Sequence, residues 1–117
     1  MAWTVLIVDD HAGFRASARA LLEAEGFEVL GEASDGPAAL EQVRRLRPQV
    51  VLLDVQLPGL DGFGVAERLT AEPAAPTVVL ISSRGRGAFR GRLATTTARG
   101  FITKAEFSGE SLSLVLA

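Results

Sequence analysis

Two hydrophobic rhythms alternate along the chain, and their alternation predicts the architecture. Residues 4–8, TVLIV, form a short apolar run of the kind that fills a buried strand. Phe14, Ala18, Leu21 and Leu22 then recur at helical spacing until Gly26 ends the pattern. Residues 27–33, FEVLGEA, alternate apolar and polar, which suits a strand near a sheet edge. At 35–37, DGP starts a second helix with proline in its first turn, carrying Ala39, Leu40, Val43 and Leu46 inward until Pro48.

The same pair of rhythms continues to the end of the chain. QVVLL at 49–53 is a buried strand that ends on Asp54, and LPGLDG at 57–62 has the chemistry of a turn. Phe63, Ala66 and Leu69 give a third amphipathic helix, and PTVVLIS at 76–82 a fourth strand. Residues 86–98 predict a helix weakened by Gly87 and Gly91, each costing about 1 kcal/mol relative to alanine. GFITK at 100–104 is a short fifth strand, and 106–117 a last helix.

Five strands alternating with five helices predict a doubly wound α/β fold, with one parallel sheet covered on both faces. With the first strand central and the edge-like second beside it, the strand order is 2-1-3-4-5. Such sheets bind ligands at the carboxyl ends of their strands where the winding reverses, here between strands one and three. Strand one runs into Asp9 and Asp10, and strand three ends on Asp54. The pattern therefore brings three carboxylates to within about one strand spacing, roughly 4.8 Å.

Composition narrows the field. The chain has 117 residues, 48% of them hydrophobic and 22% charged, with a net charge of −2. That is one domain with a real core, and neither a disordered chain nor a basic nucleic-acid binder. No apolar run approaches the length of a membrane span, and the N-terminal residues lack the basic region and cleavage site of a signal peptide. With no cysteine there is neither a disulfide nor a thiolate metal site. A cytoplasmic location is the expectation. Eleven of the twelve basic residues are arginine, so Lys104 is the single lysine.

Charge decides what the strand ends can do. Three neighbouring carboxylates repel one another unless a cation joins them. A small hard cation with oxygen ligands, Mg²⁺ above all, suits such a set because it accepts carboxylates, waters and a phosphate together. Taken singly, each aspartate has a plainer explanation as a helix or turn cap. Together at one switch point they favour a site. Strand four adds the Ser82 hydroxyl and strand five the Lys104 ammonium, a compact point charge for one anionic oxygen. No base is evident nearby, and His11 reads as an exposed residue of the first helical turn. An ionised aspartate can itself be a nucleophile, giving an aspartyl-phosphate. Asp54, alone at its strand end, is the candidate.

VLIVDDH, VVLLDVQLPGLDG, VVLIS and GFITK, in this order, resemble the receiver domain of bacterial two-component response regulators. The likeness covers essentially the whole chain. It implies a flavodoxin-like fold with Asp54 as phospho-acceptor. Mg²⁺ would be held by Asp9, Asp10, Asp54 and the backbone carbonyl of Gln56. It also implies Ser82 as a switch hydroxyl, Phe101 as a switch aromatic and Lys104 as the active-site lysine; by itself, Phe101 reads equally well as a core ring. A sensor histidine kinase is the implied donor, and the face of helix four, strand five and helix five the implied surface for a homodimer or output.

DDH and GEASDG further resemble NarL/FixJ-type transcriptional regulators, which usually continue into a helix-turn-helix domain. Residues 1–117 are expected to hold the receiver domain and no output domain, with no direct contact to nucleic acid or membrane. Ala105 stands where proline often follows the lysine, which predicts a more pliant loop.

Three other readings fit less well. A magnesium-dependent aspartyl phosphatase would resemble a pattern with a second aspartate two residues after the nucleophile, where this chain has Gln56, which cannot serve as a general acid. A degenerate receiver acting only as a binding module would lack an acidic residue or the lysine, and none is missing. The chain is thus expected to catalyse only its own phosphoryl transfer and dephosphorylation. SRGRGAFRG at 83–91 imitates a dinucleotide-binding loop, but its third glycine comes one position late, at Gly91 where Arg90 would have to be glycine.

Overall fold

The computed structural model describes residues 2–117. Five strands, β1 (Thr4–Val8), β2 (Glu28–Ala33), β3 (Val50–Asp54), β4 (Thr77–Ser82) and β5 (Gly100–Thr103), form one sheet of order β2-β1-β3-β4-β5. Every pairing is parallel. The expected order and winding are therefore present. Five α-helices join them: α1 (Ala12–Ala24), α2 (Gly36–Leu46), α3 (Gly62–Thr70), α4 (Arg90–Thr95) and α5 (Gly109–Leu116).

Alternation along each strand sorts the core into two layers. Leu6, Val8, Val51, Leu53, Val78, Leu80 and Phe101 pack with residues of α2 and α3, and Leu93 of α4 leans on that layer. Val5, Ile7, Val50, Leu52, Val79, Ile81 and Ile102 face the other way, onto Ala18 and Leu22 of α1 and Leu112 and Leu116 of α5. β1, β3 and β4 are buried on both faces, which is why they read as continuous apolar runs.

Local chemistry sets the helix ends. Asp35 caps α2 by accepting from the Ala38 N–H at 2.9 Å, with Pro37 in the first turn. Asp61 caps α3 through the Gly64 N–H at 3.1 Å. Gly26, at φ 93°, turns the chain out of α1 as a residue with a side chain rarely could. Ser108 and Ser111 cap α5 reciprocally.

Two boundaries differ from the sequence expectation. Residues 86–98 do not form one helix: a 3₁₀ turn at Arg86–Phe89 precedes the six residues of α4, and neither contains a fully buried residue. Glycines at 87 and 91 and the lack of an inward apolar stripe account for this. The last helix begins at Gly109, because Lys104–Glu106 turn as a separate 3₁₀ segment closed by the Phe107 N–H on the Lys104 carbonyl, at 3.4 Å.

Candidate functional site: a buried carboxylate pair with one lysine

The site lies at the carboxyl edge of the sheet. Asp9 follows β1, and its N–H continues the ladder to the Ala33 carbonyl at 3.0 Å. Its side chain is fully buried, whereas that of Asp10 is 38% exposed. Asp54 closes β3 opposite Ile81 of β4 and is itself buried. Parallel pairing of β1 with β3 makes these carboxylates neighbours.

Lys104 reaches them from the end of β5. Its Nζ lies 2.7 Å from Asp9 Oδ2 and 3.4 Å from Asp54 Oδ2, with the side chain only 19% exposed. The Phe14 ring of α1 lies beneath the ammonium, 4.4 Å from Nζ to the ring centroid. Backbone groups hold the acids as well: the His11 N–H donates to Asp9 Oδ1 at 2.8 Å, and the Gln56 N–H to Asp54 Oδ1 at 3.2 Å.

These surroundings separate the two buried acids. Burial pushes the Asp54 carboxyl up to about 6; the Gln56 N–H pulls it down, the charge of Asp9 raises it further, and Lys104 lowers it. Burial also pushes Asp9 upward, but the Lys104 and His11 contacts outweigh it and hold Asp9 below the ordinary carboxylate range. For Lys104, burial favours loss of the proton, yet the two acids win and raise its pKa. One lysine thus faces two carboxylates that cannot both ionise cheaply.

The donors also suit a cation. Asp9, Asp10, His11 and Asp54 can each bring one ligand atom to within 4.8 Å of the others. Asp9 Oδ2 is buried with the Lys104 ammonium 2.7 Å away as its partner, which leaves it a lone pair to spare. A buried oxygen with spare lone pairs beside two further carboxylates fits a hard divalent ion such as Mg²⁺.

The remaining predicted residues sit around this centre. Ser82 ends β4, fully buried and paired in register with Thr103, and its Oγ accepts the Arg84 N–H at 3.0 Å. Phe101 is not at the carboxylates. Its ring is buried in the layer under α3 and α4, 6.0 Å from Phe89, which in turn lies 5.7 Å from Phe63. Three of the four segment arginines rest on this file of rings: Arg92 on Phe63, Arg84 on Phe89 and Arg86 on Phe101. These arginines are exposed to solvent, yet they are also docked.

Comparison with known proteins assigns the chain. A family model described as the response regulator receiver domain matches residues 5–115. The chain belongs to the response regulator receiver family. Over 82 residues the receiver is 52% identical to protein-glutamate methylesterase/protein-glutamine glutaminase 5 of Myxococcus xanthus, covering 69% of this chain and 24% of that protein. It is 32% identical over 101 residues to the DNA-binding transcriptional activator EvgA of Escherichia coli, covering 86% of this chain and 50% of that one. Among solved structures, the signal receiver domain of NarL from Mycobacterium tuberculosis superposes with a TM-score of 0.84 at 34% identity, covering 99% of this chain and 98% of that one. The receiver spans about half the length of the transcription regulators it resembles, and a quarter of the methylesterase.

Several supporting residues had no readable signal in the sequence. Arg15 donates to the Asp9 carbonyl at 2.7 Å and pairs with Glu32 at 3.1 Å, tying α1 to the end of β1 and to β2. Gly62 donates to the Val55 carbonyl at 2.8 Å and packs on the Asp54 backbone. The sequence marks Gly62 as a turn residue, but only the fold shows what it touches. His11 is exposed, as expected, yet its ring turns back onto the acids.

Proposed function

We propose that this receiver is a phosphorylation switch in which Asp54 accepts a phosphoryl group from a sensor histidine kinase. The observation that carries the reading is the buried Asp54 carboxylate, 3.4 Å from the only lysine and beside Asp9. In the transfer, an Asp54 oxygen forms a bond to phosphorus as the bond from phosphorus to the donor nitrogen breaks, leaving an acyl phosphate.

Asp9, Asp10, Asp54 and the Gln56 carbonyl would hold Mg²⁺. A bound Mg²⁺ supplies positive charge to the phosphoryl oxygens and keeps Asp54 ionised against its burial. Lys104, already drawn in by Asp9 and Asp54, is placed to neutralise a phosphoryl oxygen. Ser82 offers a hydroxyl from the adjacent strand. Gln56 cannot act as a general acid, which argues against an aspartyl phosphatase with turnover.

The phosphoryl group adds roughly two negative charges. Lys104 and Ser82 stand on β5 and β4, so their new contacts would bias the segment between them. The output face would then be α4, β5 and α5, where Arg86, Phe101, Ser111 and exposed Leu114 line a concavity of about 490 Å³. Dimerisation, or control of a DNA-binding domain in a longer protein, is the corresponding output, in the cytoplasm.

The test is direct. Incubation with acetyl phosphate and Mg²⁺ should add one phosphate mass to the wild type and none to Asp54→Asn. Equal labelling of the variant removes Asp54 from its role.

A further inference from the structure

The proposed phosphoryl chemistry makes no use of His11, although its ring lies inside the acidic site. The side chain is 70% exposed, yet Nδ1 stands 3.0 Å from Asp10 Oδ1 and 3.2 Å from Asp9 Oδ1. Its backbone N–H is fixed on Asp9 Oδ1 at 2.8 Å, so the ring pivots from an anchored residue. As the residue just before α1, His11 is also constrained by the helix that follows, its carbonyl accepting the Arg15 N–H at 3.1 Å.

The distances admit ligation. Two donors on one cation with bonds of about 2.1 Å lie at most about 4.2 Å apart. The four donor atoms of Asp9, Asp10, His11 and Asp54 already lie within 4.8 Å of one another. Small side-chain rotations would close the difference, and half-exposed Asp10 and exposed His11 are free to make them. Buried Asp9 Oδ2 has the Lys104 ammonium as its partner at 2.7 Å and keeps a further lone pair. Ligation uses the Nδ1 lone pair and so needs the tautomer that carries its proton on Nε2.

A site of carboxylates and carbonyls is suited to Mg²⁺, whereas imidazole nitrogen strengthens binding of first-row transition ions much more than of Mg²⁺. We propose that His11 is a nitrogen ligand of the acidic site and sets its metal preference toward divalent first-row transition ions such as Co²⁺, Mn²⁺ or Zn²⁺. This rests on the reading that a divalent cation binds at Asp9, Asp10 and Asp54. It adds that the cation's identity is chosen by the residue after the acidic pair.

The experiment uses the purified chain, titrated calorimetrically with MgCl₂ and separately with CoCl₂, as wild type, His11→Ala and Asp9→Asn. Visible absorption of bound Co²⁺ reports nitrogen ligation independently of affinity. In His11→Ala the preference for Co²⁺ over Mg²⁺ should fall by about tenfold or more, with Mg²⁺ affinity changed little, and the Co²⁺ band should shift. Chemical denaturation of the variant checks that its fold is intact. If the preference and the band are unmoved while both ions still bind through Asp9, His11 is not a ligand and the cation reading stands. If Co²⁺ and Mg²⁺ weaken by the same factor, His11 acts by charge or packing alone and the inference falls. A wild type that binds neither ion overturns both.

Discussion

Gly62 lies against the backbone of Asp54 so closely that it has no room for a side chain. A Cβ there would collide with the Asp54 carbonyl oxygen and lie 2.7 Å from the Val55 Cα. The first residue of α3 thereby holds the strand end that carries the proposed acceptor.

Gly62→Ala should accordingly cost on the order of 1–3 kcal/mol, because backbone cannot yield as a flexible side chain can. Phosphorylation by acetyl phosphate should slow as well, since the strain falls on Asp54. Gly13→Ala is the control: nothing lies within 4 Å of its added Cβ, and within α1 it should stabilise by up to about 1 kcal/mol. Urea denaturation of the two variants compares them, and equal stabilities would remove the packing argument.

The raised pKa of Asp54 makes a prediction about pH. With a folded value near 6 and an ordinary value of 3.8, the folded state binds a proton more readily than the unfolded one. Between about pH 4 and 6, this group therefore makes stability rise as pH falls. Asp9, held low, has the opposite sign: its contribution is present above 3.8 and is lost as pH falls below that value. Asp54→Asn should be more stable than wild type at pH 7.5, by on the order of 2–3 kcal/mol without added metal. The difference should shrink as pH falls toward 4. Thermal unfolding of both proteins across that range measures it, and a difference independent of pH would contradict the assignment.

Much of this was legible in the sequence because it depends on period and on strand ends. Apolar runs that stop at Asp9, Asp54, Ser82 and Lys104 place those residues on one edge once the sheet order is known. Helices with a clear apolar stripe, such as α1 and α2, also read correctly. The unread parts arise from contacts that only the folded chain makes. Lys104 over Phe14, Arg15 on the Asp9 carbonyl and Gly62 under Asp54 each need the folded register before they can be seen. The division of 86–98 was half legible: Gly87 and Gly91 announced a weak helix, but not where it would break.

Asp61 and Arg92 form another such long-range pair, joined by two hydrogen bonds at 2.6 and 3.0 Å. Arg92 also lies 4.3 Å over the Phe63 ring, so it fastens α4 to the start of α3. Both side chains are more than a third exposed, so solvent and salt screen their coupling. Asp61 has a second role as the α3 cap. Asp61→Ala, which also removes the cap, should thus cost about 1–2 kcal/mol, and Arg92→Ala less than Asp61→Ala. A double-mutant cycle should give a coupling that fades in high salt. A coupling near zero would mean that the ring contact, and not the ion pair, holds α4.

Residues 83–98 should be the most mobile internal segment. The 3₁₀ turn and α4 contain no fully buried residue, and α4 is only six residues long. They are held by Phe89 and Leu93, only partly buried against the core, by three arginines on aromatic rings and by one exposed ion pair. Local opening there should cost far less than global unfolding, so amides of Arg90–Thr95 should exchange faster than those of α1 or α2. Gly91→Ala meets no atom within 4 Å and should slow that exchange by up to about fivefold, the equivalent of 1 kcal/mol of helix propensity. A phosphoryl donor with Mg²⁺ should alter the same amides, because Ser82 and Lys104 flank the segment. Hydrogen exchange by mass spectrometry reads all three effects. Protection in α4 matching that of α1, or a donor effect confined to α1 or α2, would show that the signal leaves through another face.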